Sequence, residues 1–178
     1  MLADHSLSRT GSFIFSDMNV REYYHQALAE KGYRADQAQE QAIDRLQRYY
    51  DEWVEYRKMR SSTLRRMFSR PEVPRGVYLW GGVGRGKSFL MDAFYLSVPL
   101  ERKARIHFHE FMRGVHKELN HVKGMSDPLD EVAKRIAKRY RLICFDEFHV
   151  SDVADAMILY KLLLGLFERG TSFVMTSN

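Results

Sequence analysis

The fold of this chain is decided by one stretch, Val77-Tyr78-Leu79-Trp80-Gly81-Gly82-Val83-Gly84-Arg85-Gly86-Lys87-Ser88. Its last eight residues match the phosphate-binding loop pattern G-x-x-x-x-G-K-[ST], and a short apolar run precedes them. Glycines in such a loop let main-chain N–H groups converge on an anion, and the helix that follows points its positive end at the same anion. The stretch therefore predicts a strand, a phosphate-binding loop and a helix in succession.

The residues of this loop have separate predicted roles in holding ATP and Mg²⁺. We expect the Lys87 ammonium to reach the β- and γ-phosphates and the Ser88 hydroxyl to bind the metal. The alternative is a glycine-rich turn that matches the pattern by chance, which the flanking strand and helix disfavour. The residues predicted to contact the nucleotide are Gly81, Gly82, Val83, Gly84, Arg85, Gly86, Lys87, Ser88 and Phe89.

A second candidate site follows the apolar run 142–145, where Asp146 and Glu147 stand side by side. Acids at the carboxyl end of a parallel strand face the crevice where ligands bind in α/β sheets. We expect Asp146 to hold Mg²⁺, directly or through water, and Glu147 to orient and polarise the attacking water. Asn178 follows the apolar run 172–176, and its amide is predicted to hold that water or the γ-phosphate.

Predicted strands and helices alternate around these two sites. The strands are expected at 77–80, 105–108, 142–145 and 172–176, and the helices at 87–98, 110–121, 128–140 and from a cap at Ser151 to Gly170. This order indicates an α/β fold of the P-loop NTPase type, with a parallel sheet covered by helices on both faces. Residues 75–178 would form this partial nucleotide-binding domain.

Two segments are predicted ahead of the nucleotide-binding domain. Residues 1–35 are expected to be loosely organised, although Tyr23, Tyr24 and Leu28 suggest one short helix. Residues 36–74 are predicted to form a helix followed by a basic linker, because apolar residues recur there at three- and four-residue steps.

The net charge of +5 is concentrated in residues 57–75, which hold seven basic residues and one acidic residue. Such a stripe attracts acidic partners or nucleic acid. A solvated basic helix and linker is the favoured interpretation, because aromatic side chains that could stack on bases are not interleaved with the charges. Nucleic-acid binding is therefore an alternative that the sequence does not favour.

Several other classes of protein and site are disfavoured. No transmembrane segment is expected, because no run approaches about 18 apolar residues, and residues 1–10 lack the apolar core of a secretion signal. The single Cys144 gives no internal disulfide, so a cytoplasmic protein is expected. His107 and His109 could form a metal pair, but a structural role is favoured. Asp152 and Asp155 suit the first turn of a helix.

The motifs at 76–88, 106–112, 145–157 and 176–178 together resemble the ZapE-like AAA+ ATPases of bacteria and their mitochondrial relatives. Residues 39–42 match the N-terminal helix of that family as well. The resemblance implies an AAA+ fold in which Asn178 is the first nucleotide sensor. It also implies ATP hydrolysis, a homo-oligomer, and a partner protein in cell division near the FtsZ ring at the inner membrane.

Members of the family continue past the motif at 176–178, with a last sheet strand, an arginine that completes the neighbouring subunit's site, and a helical lid. The sequence in hand ends at Asn178. We therefore expect an N-terminal portion whose sheet stops after the fourth core strand, with strand 77–80 as an open edge and Met91 or Phe94 exposed on the following helix. A non-hydrolysing nucleotide-binding interaction module and a nucleic-acid loader are the alternatives to an ATPase that acts on a partner protein.

Overall fold

Four parallel strands form one sheet in this computed structural model, which describes residues 18–34, 36–61 and 71–178. The strands are β1 (Val77–Trp80), β2 (Lys103–His107), β3 (Leu142–Asp146) and β4 (Ser172–Ser177). Their order across the sheet is β1-β4-β3-β2. Because all the pairings are parallel, the carboxyl ends of the four strands lie along the same edge.

Helices cover both faces of the sheet, as the sequence predicted. They are α1 (Val20–Glu30), α2 (Gln37–Ser61), α3 (Lys87–Ser97), α4 (Phe108–His121), α5 (Pro128–Arg139) and α6 (Val153–Glu168). The chain alternates strand and helix from β1 onward, which confirms the α/β fold class. Among the elements predicted after residue 75, only the starts of β2 and α4 differ by more than one residue, because β2 begins at Lys103 instead of Arg105 and α4 begins at Phe108 instead of Glu110.

Alternate residues of the central strand β3 enter two separate cores. Leu142 and Cys144 pack into a core with α1, α2 and α3, while Ile143 and Phe145 pack into a core with α4, α5 and α6. Successive side chains of a strand point to opposite faces, so a strand that is covered on both faces is apolar throughout. This explains why the run 142–145 carries no polar residue.

The short helix suggested near the N-terminus is α1. Asn19 accepts a hydrogen bond from the Glu22 N–H, and the Glu22 carboxylate accepts one from the Asn19 N–H, which forms a complete capping box. Tyr24 and Leu28 are buried on the side that faces α2 and α3. The helix is therefore part of the core beneath the phosphate-binding loop.

The prediction that α3 exposes Met91 or Phe94 is wrong, because both side chains are fully buried. The Phe94 ring stacks on Tyr49 of α2, with the ring centroids 5.0 Å apart. Helices α1 and α2 cover the face of α3 that the sequence had left without a partner. None of the described helices is long and apolar enough to cross a membrane.

Strand β1 is an edge strand, which confirms the predicted open edge. Within the described residues it pairs only with β4. Tyr78 and Trp80 are 54% and 79% exposed on this strand. A groove of about 510 Å³ lies between this strand and α2.

We predict that β1 exchanges its amide protons faster than β3, as measured residue by residue by hydrogen-exchange NMR. In a strand with one neighbour, alternate N–H groups face outward without a partner, whereas β3 is paired on both sides. About half of the four β1 amides should therefore exchange rapidly. Equal protection of all four β1 amides and those of β3 would show that another segment covers the edge.

Candidate functional site

The three places where the sequence predicted site residues meet at one edge of the sheet. The phosphate-binding loop follows β1, and Asn178 follows β4. Asp146 is the last residue of β3, and Glu147 comes directly after it. Strand β4 lies between β1 and β3, and Ser177 pairs with Trp80. The loop, Asn178 and the two acids therefore lie in that order along the edge.

The loop takes a backbone conformation that glycine alone adopts at little cost. Gly84 and Gly86 have φ angles of 76° and 73°, in the left-handed region that other residues rarely enter. Gly86 is the N-cap of α3 and provides no side chain to cap the helix. The N–H groups of the first turn of α3 are therefore left for an external anion.

Lys87 lies across the loop with its ammonium group over the glycines. Its Nζ donates hydrogen bonds to the carbonyl oxygens of Gly81 at 2.7 Å and Gly82 at 2.8 Å. No acidic side chain in the described part of the chain pairs with this ammonium. A positive charge held only by carbonyl groups, beside unpaired N–H groups, fits a phosphate.

Helices α1 and α2 hold the second half of the loop. The Gln39 amide donates from Nε2 to the Arg85 carbonyl oxygen at 3.2 Å, and its Oε1 accepts from the Tyr24 hydroxyl at 2.9 Å. A Cβ at Gly86 would lie 2.9 Å from Gln39 Nε2. The Arg85–Asp36 ion pair, at 3.5 Å, is exposed and contributes little. The sequence analysis predicted no separate role for Gln39.

Asp146 accepts hydrogen bonds from three different elements. Its Oδ1 accepts from the hydroxyls of Ser88 on α3 and Thr176 on β4, both at 3.0 Å, and its Oδ2 accepts from Arg105 Nη2 on β2 at 2.8 Å. The side chain is 9% exposed. The sequence analysis assigned no role to Thr176 or Arg105, because a polar residue on a strand does not by itself indicate a contact with Asp146.

These donors keep Asp146 ionised. Burial alone would raise its pKa, but the hydrogen bonds from Thr176, Ser88 and Arg105, with the positive charge of Arg105, outweigh burial and lower the pKa below its ordinary value. The Ser88 hydroxyl donates its hydrogen bond to the carboxylate, which leaves the lone pairs of the Ser88 oxygen free for a cation.

Glu147 is turned away from Asp146 by an unusual backbone angle. Its φ of 54° is the one positive value at a non-glycine residue within the described ranges. The Glu147 N–H donates to Thr176 Oγ1 at 3.2 Å, and the Glu147 side chain is 70% exposed. Backbone strain of this kind is concentrated at functional sites. The turn places one carboxylate inside the site and the next at its solvent side.

Asn178 and Phe89, the remaining predicted nucleotide contacts, differ in which of their groups are accessible to a nucleotide. Asn178 is exposed at the end of β4. The Phe89 ring packs against Tyr24 of α1, with the centroids 5.5 Å apart, and the Lys31 ammonium lies 4.8 Å from its centre. Phe89 can therefore offer a phosphate only its main-chain N–H, in the first turn of α3.

The weaker candidate residues lie beside the site. Asp152 caps α6 by accepting from the N–H groups of Ala154 and Asp155, so the prediction of a cap at Ser151 is wrong by one residue. Asp155 contacts the ring of His116 at 2.7 Å.

The two histidines of β2 and α4 lie near the solvent side of the site. The rings of His107 and His109 are 5.9 Å apart, and His107 Nδ1 lies 4.0 Å from Glu147 Oε2. In the described ranges no group of three or more His, Cys, Asp or Glu side chains could hold a metal ion.

The residues at this edge fit Mg²⁺ together with a nucleotide phosphate. Mg²⁺ prefers oxygen ligands, and it keeps several waters while binding one or two carboxylates plus the oxygens of a substrate phosphate. Ser88 Oγ and the ionised Asp146 offer such oxygens next to the loop, where Lys87 and the first turn of α3 would hold the phosphate.

Comparison with known proteins agrees with this geometry. The family model described as AFG1-like ATPase matches residues 18–178. The chain is 44% identical to the cell division protein ZapE of Escherichia coli K12 over 166 residues, which cover 87% of this chain and 44% of that protein.

Two eukaryotic relatives are also similar. Lactation elevated protein 1 homolog B of Danio rerio is 47% identical over 121 residues, covering 62% of this chain and 24% of that protein. A protein of Schizosaccharomyces pombe is 35% identical over 191 residues, covering 88% and 42%. The chain thus spans less than half the length of these relatives. The family model matches nearly the whole chain, and the chain belongs to the AFG1-like ATPase family.

Proposed function

We propose that this chain binds ATP with Mg²⁺ and supplies the nucleotide site of an ATPase that acts on a partner protein. The observation that carries the proposal is the contact between Ser88 and Asp146, beside an ammonium group and an uncapped helix N-terminus. A metal-binding hydroxyl, an ionised carboxylate and a phosphate cradle thus occur within one edge of the sheet. Family membership supports the same assignment.

Each residue of the site has a defined part in the proposed hydrolysis. The N–H groups of the loop and Lys87 would hold the β- and γ-phosphates in place, and Mg²⁺ held by Ser88 Oγ and Asp146 would neutralise their negative charge. Glu147 accepts the proton of a water whose oxygen attacks the γ-phosphorus, while the bond from that phosphorus to the bridging oxygen breaks and ADP leaves. Asn178 is proposed to orient the same water or the γ-phosphate.

The position of Glu147 favours hydrolysis over the alternative of a binding-only module. A module that only binds nucleotide needs the loop and the metal ligands, but it needs no further carboxylate at the solvent side. Glu147 is exposed and is held there in a strained backbone conformation by Thr176. That conformation costs about 1–3 kcal/mol. A module that only binds nucleotide would gain nothing from this strain.

The surface of α6 favours a protein partner over nucleic acid. Five large exposed apolar side chains recur there at steps of four and three residues, which places them along one side of the helix. They are Val153, Met157, Tyr160, Leu164 and Phe167. Exposed apolar surface of this kind marks contacts between proteins. We therefore propose self-association into a homo-oligomer or a contact with a protein partner through α6.

The biological setting is proposed from the relatives. The E. coli relative is named a cell division protein, so we propose a cytoplasmic role in cell division, at the division site, with the FtsZ ring as the partner that the resemblance implies. Nucleic-acid loading remains the alternative. Arg57 and Arg60 are exposed at the end of α2, while residues 62–70 of the basic segment lie outside the described residues.

We predict that Lys87→Ala weakens Mg-ATP binding by about 10- to 100-fold, because it removes a charge-assisted hydrogen bond worth about 1.5–3 kcal/mol. Isothermal titration calorimetry measures the affinity, and circular dichroism checks the fold. Lys117→Ala, which removes an exposed ammonium on α4, is the matched control and should bind normally. Unchanged affinity in Lys87→Ala would contradict the proposed phosphate site.

We predict that Glu147→Gln keeps nucleotide binding but lowers the rate of ATP hydrolysis by about 10²–10⁴-fold, the usual contribution of a general base. The rate is measured by phosphate release in a form that spans the full length of the relatives, because the resemblance implies that a neighbouring subunit's arginine completes the site. The control is Glu110→Gln, at an exposed position on α4. Hydrolysis at the parental rate in Glu147→Gln would assign water activation to another residue.

A further inference from the structure

We propose that Arg105, which is itself fixed by Asp92, is a positioning residue that holds Asp146 in the geometry required for Mg²⁺. This inference rests on the proposed function, since it concerns the same nucleotide site. Among the described residues, the side-chain hydrogen bonds of Arg105 go to Asp92 and Asp146, so its effect on the metal would pass through Asp146.

The sheet register brings the three charged residues together. Arg105 on β2 pairs with Cys144 on β3, and His107 pairs with Asp146. Cys144 and Asp146 are two residues apart on a strand, so their side chains face the same side of the sheet, which is the side covered by α3. Asp92 lies on α3 and forms an ion pair with Arg105.

The guanidinium group bridges the two carboxylates through different nitrogens. Arg105 Nη1 bonds to Asp92 Oδ1, and Arg105 Nη2 bonds to Asp146 Oδ2 at 2.8 Å. Arg105 and Asp146 are 28% and 9% exposed, so the contact is shielded from water. The planar, rigid fork of arginine donors fixes the direction of each bond, which the single ammonium of a lysine does not do.

The two carboxylate oxygens of Asp146 accept hydrogen bonds from different donors, and the bond from Arg105 determines which oxygen faces the metal site. Oδ2 is taken by Arg105, so Oδ1 faces the hydroxyls of Ser88 and Thr176. With Arg105 absent, no charged donor in the described residues would hold the carboxylate plane. Rotation of the carboxylate would then release the Ser88 hydroxyl, whose oxygen lone pairs must point at the metal.

A purely electrostatic role for Arg105 predicts a change of the opposite sign. A positive charge near a divalent cation repels it, so removing that charge would raise the affinity for Mg²⁺. The contact with Asp92 offsets much of this repulsion, because Asp92 carries the compensating negative charge. Positioning of Asp146 therefore determines the net effect, and Arg105→Ala should lower the affinity.

The test measures how strongly Mg²⁺ improves nucleotide binding in wild type and in four variants. A fluorescent ATP analogue is bound first in EDTA and then during a titration with Mg²⁺. We expect Arg105→Ala to lower the Mg²⁺ affinity by about 10- to 100-fold, the usual effect of removing a group that orients a metal ligand. Its affinity for the analogue in EDTA should be unchanged. Arg105→Lys should show an intermediate loss, and Asp92→Asn a smaller one.

Arg169→Ala is the matched control. Arg169 is 29% exposed, nearly the same as Arg105, and it bonds to Asp130 at 2.6 Å. It lies between the end of α6 and the start of β4, at the edge of the sheet opposite to the site. It should lose stability without a change in Mg²⁺ affinity. If Arg105→Ala does not fold, Arg105→Lys and Asp92→Asn decide the question.

Three results would overturn the proposal. Equal losses in EDTA and in Mg²⁺ would show a merely structural role, a higher Mg²⁺ affinity would show an electrostatic one, and unchanged Mg²⁺ affinity would show none. Each of these is distinguishable from failure of the proposed function, because wild type would still bind the analogue in a Mg²⁺-dependent way. If wild type binds no nucleotide, the proposed function and this inference both fall.

Discussion

The structure depends most on the three hydrogen bonds that converge on the Asp146 carboxylate. A carboxylate this deeply buried is costly unless donors compensate for the lost water, and here they come from α3, β4 and β2. The same bonds keep Asp146 charged, which a metal ligand requires. The hydrogen bonds that connect α3, β4 and β2 therefore also position the metal ligand. A substitution of Asp146 would for that reason affect both the stability of the fold and the binding of Mg²⁺.

A second link joins the N-terminal helices to the same site. Helices α1 and α2 bury the inner face of α3, and Gln39 reaches from α2 to the loop that precedes α3. The left-handed Gly86 and the uncapped start of α3 are thus held from the side opposite to the sheet.

Much of the fold was predictable from local sequence, whereas the support of the site was not. The glycines of the loop at 81–88 predict its backbone conformation. The run 142–145 is apolar throughout, which predicts a strand that is covered on both faces. Arg105 and Asp146 are 41 positions apart and meet only through the register of β2 and β3. Such a contact depends on tertiary packing, and so does the burial of Met91 and Phe94. The positive φ of Glu147 likewise accompanies a tertiary contact, the hydrogen bond that its N–H donates to Thr176.

The central claim is that ATP and Mg²⁺ bind between the loop and Asp146, and a crystal structure with Mg²⁺ and a non-hydrolysable ATP analogue tests it most directly. The account predicts that Lys87 Nζ leaves the carbonyl oxygens of Gly81 and Gly82 and contacts the β- and γ-phosphates. It also predicts Mg²⁺ on Ser88 Oγ, with Asp146 still bonded to Arg105. An analogue bound elsewhere, or a Lys87 that stays on the two carbonyls beside a bound phosphate, would contradict the account.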